Sequence, residues 1–113
     1  MFSENTVNVL FQGDSITDAG RSRDNDVAIG AGYPAFVSGI MGFQQPGKYG
    51  FINRGISGNR IVDLYARIKK DLINLKPDVL SILIGVNDVW HEVEIENGVD
   101  ADKYERVYDM LLS

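Results

Sequence analysis

The chain has 113 residues, of which 44% are hydrophobic and 24% charged, so its composition suits one globular domain or part of one. Its formal net charge is -5, and no cluster of Lys and Arg occurs beyond Lys69 and Lys70, which argues against a nucleic-acid partner. The chain has no cysteine. Disulfides, thiolate metal sites and a cysteine nucleophile are therefore excluded, and serine is the obvious covalent catalyst.

The sequence shows no signal for export or membrane insertion. Residues 1–5 contain no basic segment followed by a long apolar one, and no later apolar run approaches membrane-spanning length. We therefore expect a soluble, cytoplasmic protein whose partners are small molecules, with no membrane partner and no cofactor.

The first element is a predicted buried strand that runs directly into a polar turn. The strand is indicated by the apolar residues Val7, Val9, Leu10 and Phe11, and the turn is Gly13-Asp14-Ser15. In open α/β sheets, chemistry gathers just outside the carboxyl ends of the strands, so the Ser15 hydroxyl is a candidate nucleophile. On this segment alone, a turn in which Asp14 or Ser15 caps a following helix is an equally good interpretation.

A loop, a helix and a second strand follow. Residues 21–32 mix both charge signs without periodicity and predict a surface loop, and Asp24-Asn25-Asp26 lacks the glycine and distal glutamate of a calcium loop. From Tyr33, apolar residues at i, i+3, i+4, i+7 and i+8 predict a helix with Pro34 in its first turn and one face on the sheet. The second strand is predicted from Tyr49, Phe51 and Ile52.

The second strand also leads into a glycine-containing turn, residues 56–60, which opens a helix. The helix is predicted by the spacing of Ile61, Leu64, Ile68, Leu72 and Leu75, before the stop at Lys76-Pro77. Unpaired N–H groups at the start of a helix suit the stabilisation of developing negative charge. The other interpretation is that Asn59 is the N-cap and Gly58 only relieves steric crowding.

A nearly continuous apolar run, residues 78–84, predicts a central parallel strand that is covered on both faces. It leads into Gly85-Val86-Asn87-Asp88, where Asn87 can donate from its side-chain amide and Asp88 could hold a neighbouring backbone in place. Trp90 is either a wall of the substrate site or a packing residue. His91 is either a catalytic base or a solvated histidine.

An acidic loop is predicted for residues 92–98, and a last helix follows it. Asp102 and Glu105 have capping-box spacing. The apolar face of the helix is formed by Tyr104, Val107, Tyr108 and Leu111.

Strands and helices alternate along the whole chain, which predicts a parallel sheet with the three turns on one edge. Ser15, Gly58 and Asn87 can then converge. A serine hydroxyl with one backbone N–H and one asparagine amide nearby is the arrangement that acyl transfer needs, because the donors stabilise the tetrahedral oxyanion. No cluster of metal ligands in the sequence supports metal-dependent hydrolysis.

The three turns resemble the first three sequence blocks of the GDSL/SGNH hydrolases, in their order and approximate separation. The matching segments are Gly13-Asp14-Ser15-Ile16-Thr17-Asp18, Gly55-Ile56-Ser57-Gly58-Asn59 and Gly85-Val86-Asn87-Asp88. The wider strings around them most resemble the intracellular, acetylxylan-esterase-like branch. The resemblance implies a flavodoxin-like three-layer α/β/α fold and a serine esterase that removes acetyl groups from carbohydrates. It also implies that Ser15 is nucleophile and oxyanion donor, with the Gly58 N–H and the Asn87 side chain completing the oxyanion hole.

The family's last block, Asp-x-x-His near the C-terminus, supplies the base and its orienting carboxylate. The resemblance stops short of this block, and we expect the chain to contain no Asp-x-x-His. The chain offers only three predicted strands and ends inside an apolar-faced helix. We therefore expect residues 1–113 to be the N-terminal portion, about the first half, of a single SGNH-hydrolase domain. The base is expected in a missing C-terminal part, and His91 is not assigned that role.

Two other classes of function remain open. In a flavodoxin-like ligand-binding module, the turn after the first strand would hold a phosphate with Ser15 and Thr17. A catalytically inactive SGNH-fold protein would keep the fold but lack the base. An unpaired strand edge would also allow a homo-oligomer.

Overall fold

A computed structural model describes residues 2–113 of the chain. Its strands are β1 (Val7–Gly13), β2 (Tyr49–Asn53) and β3 (Val79–Leu83), which form one parallel sheet in the order β2-β1-β3. The helices are α1 (Ser15–Asp18), α2 (Tyr33–Gln44), α3 (Ile61–Ala66), α4 (Ile68–Asp71), α5 (Val86–Ile95) and α6 (Ala101–Leu112). A single 3₁₀ turn, Ile73–Leu75, lies between α4 and β3. The predicted α/β fold with a parallel sheet is confirmed.

The central strand, β1, pairs with both neighbours, and most of its apolar side chains are buried. Leu10 is fully buried and Phe11 is 2% exposed. The Phe11 ring contacts Tyr33 of α2 edge-on and stacks on Phe51 of β2, with centroids 5.9 and 6.2 Å apart. The turn that follows Gly13 therefore starts from a strand that both neighbours hold in place.

A second apolar cluster joins α3 to α6. It contains Ile61, Leu64 and Leu111, which are all buried. The apolar face predicted for the last helix is thus confirmed. Its predicted cap is wrong, however, because α6 follows Asp100, whose carboxylate accepts a hydrogen bond from the Lys103 N–H (2.9 Å).

The apolar strand β3 does not occupy the central position that its sequence predicted. It pairs with β1 only and forms an edge of the sheet among the described residues. Val79 and Leu83 are 47% and 46% exposed. A continuous apolar run indicates that a strand is suited to burial on both faces. The prediction was wrong because residues 2–113 bury β3 only in part.

Two helical boundaries also differ from prediction. The helix expected from Ile61 to Leu75 divides at Arg67, where the backbone leaves the helical conformation (φ -110°, ψ 20°) and the guanidinium turns towards buried acceptors. The acidic loop expected at residues 92–98 is helical as far as Ile95, since α5 begins immediately after Gly85 and no helix-breaking residue interrupts it before Gly98. Asn87 and His91 therefore lie on a helix and not in a loop.

Several large apolar side chains lie exposed on the outer helices. They include Phe36, Ile40 and Phe43 of α2 and Val89, Trp90 and Val93 of α5. Within residues 2–113, no helix has the length and apolar character needed to cross a membrane.

Candidate active site

The three polar turns lie together at the carboxyl edge of the sheet, as the strand order predicts. The Ile56 N–H donates to the Gly13 carbonyl (3.0 Å), which joins the second turn to the first. The Asn87 side-chain N–H donates to the Asn59 carbonyl (3.1 Å), which joins the third turn to the second. Hydrogen bonds thus link the segments that carry Ser15, Gly58 and Asn87.

Ser15 is the first residue of α1, and the preceding aspartate caps that helix. Asp14 is 1% exposed, and its Oδ1 accepts a hydrogen bond from the Ile16 N–H (3.0 Å). The capping interpretation is therefore correct for Asp14, yet it leaves Ser15 exposed at the sheet edge. Neither the Ser15 hydroxyl nor its N–H has a hydrogen-bond partner within residues 2–113. The hydroxyl is free to meet a ligand.

The loop of residues 56–61 leaves one of its amides unpaired. Every N–H in it except that of Gly58 donates within the chain, to the carbonyls of Gly13 and Ile56 or to the carboxylates of Asp18, Asp63 and Asp88. The Gly58 N–H has no acceptor among the described residues. Gly58 has a φ of +87°, a left-handed conformation that glycine adopts at little cost. This loop can therefore offer one backbone donor to an external acceptor.

Asn59 is not the N-cap of α3. The cap position is Arg60, whose N–H donates to the Asp63 carboxylate (2.8 Å), while the Asn59 side chain accepts from Arg67 (2.9 Å). Burial raises the pKa of the Asp63 carboxyl, but hydrogen bonds from Arg60 outweigh this effect, with a smaller electrostatic contribution from His91. The pKa therefore lies below its usual value. The start of α3 is thus held by a carboxylate of its own first turn.

Asp88 holds the same loop from the α5 side. It is 2% exposed, and its two carboxylate oxygens lie 3.0 and 3.2 Å from the Ile61 nitrogen. Burial raises the pKa of the Asp88 carboxyl, and the N–H donor at Ile61 acts in the opposite direction. The expectation that Asp88 holds a neighbouring backbone in place is therefore confirmed.

Asn53 is a supporting residue that the sequence interpretation missed. It is 2% exposed at the end of β2, and its side-chain nitrogen donates to the carbonyls of Thr17 (2.6 Å) and Ile29 (3.0 Å). Its side-chain oxygen accepts from the Gly55 N–H (2.9 Å). A single buried amide thus joins α1, the loop of residues 21–32 and the second turn. The only sequence signal was a polar residue at the end of an apolar strand.

A network of arginines and aspartates below the turns was also missed. Asp71, which is 7% exposed, accepts from Arg54 (3.0 Å) and Arg67 (3.1 Å). Arg67 also donates to the Arg54 carbonyl (2.8 Å), and Arg54 pairs with Asp26 of the surface loop (3.0 Å). Burial lowers the pKa of the Arg67 guanidinium, whereas Asp71 opposes this effect. Arg67 also donates to the Asn59 side chain (2.9 Å), so this network is hydrogen-bonded to the second turn.

Trp90 and His91 occupy different positions relative to the turns. Trp90 is 54% exposed on α5, one helical turn after Asn87. His91 lies near Asp63, and no hydrogen bond joins it to Ser15. His91 is therefore not hydrogen-bonded to the candidate nucleophile.

The spacing Asp-x-x-His does occur in the chain, within the third block, as Asp88-Val89-Trp90-His91. The expectation that the chain lacks this pattern was wrong as a statement about spacing. Both oxygens of Asp88 face the Ile61 N–H, and no hydrogen bond joins Asp88 to the His91 ring. The pair consequently lacks the contact by which a carboxylate orients a catalytic histidine.

A parallel sheet with these blocks at its carboxyl edge defines an α/β protein of the SGNH-hydrolase fold. The chain belongs to the GDSL-like lipase/acylhydrolase family, whose sequence model matches residues 11–113. It is 45% identical over 107 residues to an acetylxylan esterase of Geobacillus stearothermophilus, with 86% of this chain and 48% of the relative covered.

Solved structures agree with this assignment. The acetylxylan esterase Axe2 of Geobacillus stearothermophilus superposes with a TM-score of 0.87 at 42% identity, over 93% of this chain and 52% of Axe2. LAE5, an α/β hydrolase enzyme from the metagenome of Lake Arreo, gives a TM-score of 0.86 at 35% identity, over 93% and 53%. Catalytic mutants of Axe2 have alanine in place of a serine, an aspartate or a histidine. The chain spans about half the length of the relatives it matches.

Proposed function

We propose that this chain supplies the nucleophile and the oxyanion hole of a serine ester hydrolase that removes acetyl groups from carbohydrates. Ser15 is the nucleophile, and the oxyanion donors are the Ser15 N–H, the Gly58 N–H and the Asn87 side chain. Membership of the acylhydrolase family supports the reaction class. The acetylxylan esterase activity of the relatives supports the substrate class.

The observation that carries this proposal is the unpaired amide of Gly58. Gly58 is half-buried, and its N–H is the one amide in the loop of residues 56–61 that has no acceptor among residues 2–113. An oxyanion hole accounts for such a donor, because the donor must be available to bind the charge that develops in the transition state.

The proposed reaction proceeds through an acyl-enzyme. Ser15 Oγ attacks the acetyl carbonyl carbon while a base takes the hydroxyl proton, and the carbonyl oxygen becomes an oxyanion held by the three donors. Collapse of this intermediate breaks the ester bond, and the sugar oxygen leaves with the proton from the base. Water then attacks the acetyl-Ser15 ester, which releases acetate and restores the hydroxyl.

The base belongs, in this proposal, to residues outside 1–113, in the C-terminal part of the same SGNH domain. The Ser15 hydroxyl is hydrogen-bonded to no base among the described residues. In Axe2, catalytic mutants include an aspartate and a histidine as well as a serine. A domain about twice as long as this chain, as in Axe2, has room for such a pair.

A chimera tests this proposal. Residues 1–113 are joined to the C-terminal half of the Geobacillus esterase, and hydrolysis of p-nitrophenyl acetate and of acetylated xylooligosaccharides is measured. We expect activity in the chimera, loss of that activity in Ser15→Ala, and labelling of Ser15 by a fluorophosphonate probe. Ser38→Ala, which changes a serine on α2, is the matched control.

A folded chimera without esterase activity, or one whose activity survives Ser15→Ala, would overturn the proposal. Binding of flavin or inorganic phosphate without labelling of Ser15 would favour the ligand-binding module. A folded chimera that neither reacts with the probe nor binds these ligands would favour an inactive member of the family.

A further inference from the structure

Two buried carboxylates hold opposite ends of the loop that carries Gly58. Asp18 of α1 is 6% exposed, and Asp88 of α5 is 2% exposed. Asp18 Oδ2 accepts from the Ser57 N–H (3.1 Å) and the Ser57 hydroxyl (3.0 Å). Asp88 accepts from the Ile61 N–H. The unpaired amide of Gly58 lies between the two anchored residues in the sequence.

We propose that Asp18 and Asp88 are positioning residues that clamp the loop of residues 56–61 and so aim the Gly58 N–H at the oxyanion. This inference rests on the proposed function, in which Gly58 is an oxyanion donor.

The two anchors come from the helices that carry the other reacting groups. Asp18 ends the short helix that begins with Ser15, and Asp88 follows Asn87 directly in the first turn of α5. A carboxylate from each helix therefore fixes the loop relative to the nucleophile on one side and the side-chain donor on the other. The position of Gly58 is set by the same elements that set Ser15 and Asn87.

A glycine at this point needs such external anchors. Glycine has no Cβ to restrict its backbone, so its peptide can rotate between conformations of similar energy. Hydrogen bonds from a backbone N–H to a carboxylate are stronger than those between neutral groups. Such bonds at Ser57 and Ile61 restrict the rotation of the backbone between these two residues, which includes the Gly58 peptide.

The burial of both carboxylates strengthens this interpretation. A buried carboxylate is costly unless donors satisfy it, and here the donors are amides of the loop itself. Among residues 2–113, the Asp18 carboxylate accepts one further hydrogen bond, from the half-exposed guanidinium of Arg23 (3.2 Å). The Asp88 carboxylate accepts no hydrogen bond from a side chain among residues 2–113.

The kinetic test uses alanine and asparagine at each anchor in the chimera. Alanine removes the acceptor, whereas asparagine keeps the volume and one carbonyl oxygen. We expect Asp18→Ala and Asp88→Ala to lower kcat by about 10–100-fold with KM changed by no more than about two-fold, because a small displacement of an aligned donor is costly. Asp18→Asn and Asp88→Asn should fall between alanine and wild type.

The matched control is Asp100→Ala, which removes a carboxylate that also accepts from a backbone N–H, at the start of α6 and away from the loop. It should lower the Tm without changing kcat. Folded alanine variants whose kcat stays within about two-fold of wild type would overturn the proposal. Asparagine variants that fail to fold would also overturn it, because the carboxylates would then be structural.

Amide exchange in the 113-residue chain gives a second readout that does not depend on esterase activity. Asp18→Asn should speed exchange at Ser57, and Asp88→Asn should speed it at Ile61, while β1 amides keep their protection. The Gly58 amide resonance should shift in both variants. If exchange at Ser57 and Ile61 and the Gly58 resonance are the same in the variants as in wild type, the clamp is overturned. If the variants change these signals but the wild-type chimera has no esterase activity, the result counts against the proposed function alone.

Discussion

Asn87→Ala separates a catalytic role of this side chain from a structural one. In the resting structure the side-chain amide donates to the Asn59 carbonyl (3.1 Å), and that bond leaves its second N–H free for an oxyanion. Loss of a neutral hydrogen bond of this kind lowers the free energy of unfolding by about 0.5–1.5 kcal/mol. Loss of one oxyanion donor lowers kcat by about 10²–10³, or roughly 2.7–4 kcal/mol in the activation free energy. The catalytic effect is therefore the larger one.

The assay is steady-state hydrolysis of p-nitrophenyl acetate by the chimera, with kcat and KM determined separately. We expect kcat to fall and KM to change little, because the oxyanion charge develops only in the transition state. Asn87→Asp should be at least as inactive, since it replaces a donor with a negative charge beside the developing oxyanion. Asn97→Ala, which changes an exposed asparagine after α5, is the control. An Asn87→Ala kcat within about two-fold of wild type would remove Asn87 from the site.

Four further outcomes are expected. Ser15→Ala should abolish turnover and leave the Tm unchanged, because the side chain is exposed and unpaired, and retained turnover would reject the nucleophile. Acetyl esters should be hydrolysed faster than butyryl and octanoyl esters, and a maximum at octanoyl would contradict the proposed substrate class. The 113-residue chain alone should be slower than the chimera by on the order of 10⁴–10⁶ in kcat, and His91→Ala should leave the chimera's activity intact. A monomer of this chain that hydrolyses acetyl esters at ordinary enzyme rates would instead make His91 the candidate base.

The meeting of the three turns could be predicted because it depends on chain order and strand direction alone. Alternating strands and helices give a parallel sheet, and the carboxyl ends of parallel strands share an edge. Ser15, Gly58 and Asn87 follow successive strands, so their segments had to approach one another. The family resemblance then suggested a role for each of them, and those roles remain predictions.

The supports of the turns could not be predicted in the same way. Asn53 and Asp71 hydrogen-bond to residues that are distant in the sequence, so no local pattern marks them. The predicted central position of β3 was also wrong, and the reason is physical. A continuous apolar run predicts that a strand is stable when both its faces are buried. Whether both faces are buried depends on the neighbouring strands and helices, which the run itself does not specify.

Asp88 and His91 show why a motif has to be judged by the element that carries it. On α5, residues three apart lie on one side of the helix, but Asp88 is turned into the loop of residues 56–61 and is satisfied there by the Ile61 N–H. If it oriented the His91 ring instead, it would leave that buried amide without an acceptor, which typically costs about 1–3 kcal/mol. The same carboxylate cannot serve both purposes without this loss. The hydrogen bonds of Asp88 thus favour a role in holding the Gly58 loop, and they favour a catalytic base outside residues 1–113.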